Sequence, residues 1–155
     1  MRKIMFIIPG TPKGKGRPKF ARRGNFVTAY TPKETASYEN LVKLIFLEAA
    51  AKYGWKKPER DVPLCLTVIT YSAIPASWSK KKQMSALHDV RKPDADNVGK
   101  VIQDALNSIA FEDDCSIADL HVMKRFVNVL HSDPCAVCEL AMMDAGGMPA
   151  VDVER

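Results

Sequence analysis

Behind Pro93 the residues Val98, Val101, Ile102, Ala105, Leu106 and Ile109 recur every three to four positions, and this run constrains the chain more than any other. The period is helical, so a helix from about Asp96 to Ser108 must bury one stripe and keep the other side in water. That wet side carries Asn97, Lys100 and Asp104, with Asp94 and Asp96 at the helix start and Asp113 and Asp114 just beyond its end. The stripe needs an apolar surface to cover, and the rest of the chain supplies strands for it.

Arg2 to Ile8 reads as a first strand stopped by Pro9-Gly10, and the β-branched run Val62 to Ser72 as a second. Ile117 to Leu130 and Ala136 to Met142 read as two more, joined as a hairpin across His131-Ser132-Asp133-Pro134. Thr31-Pro32-Lys33-Glu34 has the form of a capped helix start, with Thr31 as N-cap and Pro32 in the first turn. The helix it opens runs to about Lys52, with Leu41, Leu44 and Ile45 as its apolar face and Glu48 on the flank. Pro75 to Leu87 reads as a short exposed helix or loop. The expected fold is α+β: one small mixed sheet packed with two main helices, a single domain over residues 1–143, and a flexible tail over 144–155.

Charge is unevenly placed. Residues 1–33 contain nine Lys or Arg and no Asp or Glu, and residues 94–119 are acidic with Lys100 as their one base. The basic segment 11–26, broken by Gly14, Gly16 and Gly24, has loop or hairpin chemistry and should be mobile without a ligand. Lys13, Lys15, Arg17, Lys19, Arg22 and Arg23, interleaved with Phe20 and Phe26, suit phosphate contacts, as do Arg91 and Lys92 beside the acidic turn. The run Lys80 to Lys82 reads first as a solvated face. No apolar run reaches the roughly 20 residues of a membrane helix, and the first strand ends without a signal-peptide cleavage site, so the cytoplasm is the expected location.

Each acidic residue has an ordinary explanation by itself. Asp94 suits a helix N-cap, Asp96 a favourable first-turn charge, and Asp113-Asp114 an exposed turn. The spacing Asp96, Lys100, Asp104 is also that of an ion-pair ladder. Taken together, two acidic ends around a short helix could hold Mg2+, which takes carboxylate and phosphate oxygens, and a nearby lysine could stabilise charge on a transferring phosphate. Neither Cys135-Ala-Val-Cys138, whose thiols point to opposite faces of a strand, nor His88, His121 and His131 have metal-ligand spacing.

The run Lys92-Pro93-Asp94-Ala95-Asp96-Asn97, then Lys100, Asp104-Ala105-Leu106-Asn107 and Phe111-Glu112-Asp113-Asp114, resembles the signature of the RusA-family Holliday junction resolvases. Pro9 to Phe20 and the Tyr30-Thr31-Pro32 helix start are similar to members found in phages and prophages, and the likeness runs from about Ile4 to Met142. The resemblance implies a crossover junction endodeoxyribonuclease in which Asp94, Asp96 and Asp114 bind Mg2+, with Asp113 a further ligand and Lys100 required for cleavage. It implies a homodimer acting on branched DNA, with no organic cofactor and with Mn2+ able to replace Mg2+. Two other readings compete: a non-catalytic branched-DNA-binding protein using the basic arm, and a phosphatase or sugar-nucleotide enzyme using Asp94 and Asp96 as its metal pair. The first is opposed by carboxylates sited where phosphate must bind, the second by the absence of a buried apolar strand before Asp94.

Overall fold

The computed structural model describes residues 2–144. The tail expected over 144–155 lies outside them, apart from Asp144, which is paired with Arg2. In chain order the elements are β1 (Lys3–Pro9), β2 (Lys19–Arg23), β3 (Phe26–Tyr30), α1 (Lys33–Tyr53), β4 (Leu64–Ser72), α2 (Lys80–Met84), α3 (Ala95–Leu106), a short 3-10 turn (Asp114–Ser116), β5 (Ile117–Phe126) and β6 (Cys135–Met142). The result is the small α+β domain that the periodicities require. No helix among the described residues is long and apolar enough to cross a membrane.

The main sheet has the order β1-β6-β4-β5. β6 is antiparallel to β1 and β4, and β4 is parallel to β5. The expected β5–β6 hairpin therefore does not form, because β4 lies between the two. The reason is apolarity: β4 and β6 are buried along most of their length and take the centre, whereas β5 is half-buried or exposed along nearly all of its length and takes an edge. β5 also ends at Phe126, four residues short of the expected Leu130. A parallel β4–β5 pair needs a crossover, and the segment carrying α3 provides it.

Ile4, Phe6 and Ile8 of β1, Leu64, Leu66 and Val68 of β4, and Ala136, Cys138 and Leu140 of β6 face the helices and form the core. α3 buries Val98, Val101, Ile102, Ala105 and Leu106, the expected stripe. Gly99 lets it lie close to β5, since a Cβ there would sit 3.1 Å from both Leu120 and Val122. On α1, Leu41 and Ile45 pack against the core as expected, but Leu44 is exposed and Thr35, Tyr38, Val42 and Phe46 are the buried residues. The two aromatic residues reach deeper than the leucines, and Phe46 meets Phe6 edge to face at 5.4 Å. Its start is also later than expected. Pro32 occupies the N-cap position without a side-chain cap, so Thr31 does not serve as one. At the other end Gly54, at φ 69°, closes the helix with its N–H on the Ala50 carbonyl.

Candidate nucleic-acid and metal-binding surface

The basic segment forms a two-stranded hairpin, β2–β3, with Gly24 at φ 60° in a two-residue turn of the kind that favours glycine at its first position. Every residue of both strands is exposed. Lys19, Arg23, Phe26 and Tyr30 alternate onto one face, and Phe20, Arg22 and Val27 onto the other. Each face thus pairs cations with stacking surface, which suits a nucleic-acid backbone and its bases.

The base of this arm is fastened to the body of the domain. Lys15 donates its backbone N–H to the Asn97 carbonyl at 2.9 Å, and Gly16 donates to Thr35 Oγ1 at 3.1 Å. Gly14 lies so close to the start of α3 that a Cβ would meet Pro93 Cβ at 2.6 Å. Lys15 Nζ bridges Glu39 of α1 and Asp104 of α3, each at 2.7 Å. Burial would lower the pKa of this lysine, but the hydrogen bonds to Asp104 and Glu39 outweigh that and raise it. Its charge is compensated within the protein. The ladder read along α3 is accordingly broken: Asp104 is held by Lys15, and Lys100 stands exposed one turn from Asp96.

Between the arm and the start of α1 lies an open cleft of about 700 Å³ bordered by Lys13, Arg17, Lys19 and Lys33. Gly14, which borders the same cleft, touches the turn carrying Asp94. Asp94 sits at the N-cap of α3 with no side-chain cap bond, so its carboxylate is directed to other partners. Lys92 Nζ holds both of its oxygens, at 2.6 and 2.5 Å, and this bond with the nearby charges of Lys92 and Lys124 keeps Asp94 below the usual carboxylate range. Asp96 is exposed in the first turn.

Arg91 is engaged elsewhere. Its guanidinium grips the buried Asp89 through Nε at 2.8 Å and Nη2 at 3.0 Å and lies over the Phe126 ring at 4.9 Å. Burial alone would raise the Asp89 pKa; the bonds from Arg91 reverse this and lower it. In the lysine run, Ser79 caps α2 and Lys82 lies over Trp78, 3.8 Å from the ring centroid.

Asp113 and Asp114 lie at the other end of α3. Asp113 accepts from the Cys115 backbone N–H at 3.1 Å and from Arg60 at 3.2 Å, and these contacts lower its pKa, the backbone bond most. Asp114 is exposed in the 3-10 turn that leads into β5. Twelve helical residues at about 1.5 Å each separate this end from Asp94, roughly 18 Å. One chain therefore groups Asp94 and Asp96, and holds Asp114 apart from them.

Sequence reasoning missed a different grouping. Cys65, Asp119 and His121 have their ligand atoms within 4.8 Å of one another, on the face of the sheet turned away from α3. The signal available was Asp119-x-His121, which puts both residues on one face of a strand; the partner Cys65 could not be placed without the β4–β5 register.

A small α+β domain that sets a cationic hairpin and a cation-lined cleft against an acidic helix start has the surface of a protein that handles nucleic-acid backbones. The family model described as endodeoxyribonuclease RusA matches residues 9–131, and the chain belongs to the RusA family. The chain is also similar to the uncharacterized protein YqaN of Bacillus subtilis (strain 168), 33% identical over 131 residues that cover 79% of this chain and 87% of the relative.

Proposed function

We propose that this protein is a structure-selective endodeoxyribonuclease that resolves four-way DNA junctions by Mg2+-dependent phosphodiester hydrolysis, giving paired symmetric nicks in recombination and repair. The observation that carries the reading is the fastening of the basic arm to the acidic start of α3 through Lys15 and Asn97, in a chain of the RusA family. A backbone held by Lys13, Arg17, Lys19, Arg22 and Arg23 is thereby led past Asp94 and Asp96. Lys15 acts as the clamp of the arm, and Arg91 as the brace of the turn before α3.

The donors fit a hard divalent cation: two exposed carboxylates, one of them kept ionised by Lys92, sit where substrate phosphate oxygens can complete the shell. Mg2+, or Mn2+ in its place, would supply charge stabilisation at the phosphate and orient the attacking water. Asp94 and Asp96 would hold it. Lys92 is free to exchange Asp94 for a phosphate once that carboxylate takes a metal, and Lys100 offsets charge developing on the phosphate. Asp114 joins this site from a second copy of the chain, because its own Asp94 is a helix length away. The working unit is thus a symmetric homodimer with two shared sites, which matches two opposed cuts. Asp113, tied to Cys115 and Arg60, orders the turn that presents Asp114.

The test is cleavage of a labelled four-way junction and its matching duplex, in Mg2+ or chelator, by wild type and Asp96→Asn. Paired nicks on the junction alone, lost in the variant and in chelator with junction binding retained, are expected. Binding without metal-dependent cleavage would instead establish the non-catalytic reading.

A further inference from the structure

The face of the main sheet opposite α1 and α3 is covered by no helix among the described residues, and chemistry is concentrated on it. In the parallel β4–β5 pair Cys65 stands opposite Asp119 and Thr67 opposite His121, so all four side chains rise from this one face. The flanking residues Leu64 and Leu66 point into the core, which fixes the alternation. Cys65 is only 4% exposed in spite of facing the open side, and Asp119 and His121 are half-buried around it.

We propose that Cys65, Asp119 and His121 form a second metal site, of the zinc class, separate from the carboxylates of α3. The ligand atoms lie within 4.8 Å of one another. Tetrahedral Zn2+ at about 2.3 Å from sulfur and about 2.0–2.2 Å from nitrogen or oxygen asks for ligand spacings near 3.5 Å, a small side-chain adjustment away. A thiolate, an imidazole and a carboxylate select a borderline ion such as Zn2+; Mg2+ takes oxygen alone. Binding releases the Cys65 proton to solvent and leaves a fourth position for water. Glu139, opposite Thr67 on β6 and paired with Lys3 at 3.2 Å, stands beside the three as an outer carboxylate. The ion would tie the edge strand β5 to the central β4.

Cobalt(II), added to the full-length protein without DNA, is the probe. One thiolate-bound ion per chain is expected, read from a thiolate-to-cobalt charge-transfer band and tetrahedral visible bands that Zn2+ displaces. Cys65→Ser should abolish the charge-transfer band. Asp119→Asn and His121→Ala, at less buried positions, should each weaken Zn2+ binding about tenfold or more. Asp96→Asn should leave the bands intact, and so should Cys135→Ser, although Cys135 Sγ lies 4.0 Å from His131 Nδ1. No charge-transfer band in the wild type, a band that survives Cys65→Ser, or unchanged Zn2+ affinity in both other variants would overturn the assignment.

Discussion

Replacing Lys15 by methionine separates two roles that the basic arm could give a lysine. Its side chain is 23% exposed, and its ammonium is held at 2.7 Å by Glu39 and by Asp104, whose side chains are 16% and 28% exposed. A hydrogen bond to a charged group contributes about 1.5–3 kcal/mol, and Lys15→Met removes two and leaves two carboxylates facing one another. Partial exposure and salt screening reduce that sum, so a loss of about 2 kcal/mol is expected. For a domain of this size the melting temperature should fall by roughly 4–8 °C. Thermal melts of wild type, Lys15→Met, Asp104→Asn and the double variant measure it, and the cycle should show coupling of about 1 kcal/mol between Lys15 and Asp104. A melting point unchanged in Lys15→Met, together with junction affinity lowered as far as in Lys19→Ala, would refute the clamp and make Lys15 a phosphate contact.

Arg22→Ala with Arg23→Ala should weaken binding to junction and duplex alike and reduce the slope of log affinity against log salt by about 0.9 for each phosphate that the hairpin no longer neutralises, as measured by titration at several salt concentrations. Gly14→Ala should push the arm off Pro93, so that trypsin cuts within residues 13–23 faster while the melting temperature changes little. Asp89 has a lowered folded pKa, so the unfolded chain binds more protons as pH falls below about 5, and the stability this carboxylate contributes is complete above that pH and lost as pH falls through the folded value. Asp89→Asn should therefore be less stable at pH 7 and show a shallower acid-induced decline, followed by denaturant melts from pH 6 to 3.

The parts of the fold set by local period were legible in the sequence. α3 was, because its stripe repeats at the helical spacing and Pro93 marks its start. The positions of the four main-sheet strands were too, whereas their order was not: nothing local to β5 or β6 says that β4 separates them, and only the competition among strands for the buried centre decides it. On α1, Leu41 and Ile45 were placed rightly and Leu44 was not, because it looks as apolar as Phe46 and packing against Phe6 chose the aromatic side. At the site, the motif from Lys92 to Asn97 was readable because its residues are neighbours in the chain. The contacts that commit Lys15 to Glu39 and Asp104, and Arg91 to Asp89, depend on tertiary placement, as does the distance that keeps Asp114 from Asp94.

The proposed metal site shared between two chains is tested most directly by mixing Asp96→Asn with Asp114→Asn. Each variant alone should fail to cut a four-way junction in Mg2+. After the two are unfolded and refolded together, half of the dimers should be mixed, each with one intact site, restoring roughly a quarter of the wild-type sites and giving single nicks in place of paired cuts. A mixture as inactive as its components, from variants that fold, dimerise and bind junctions normally, would contradict the shared site.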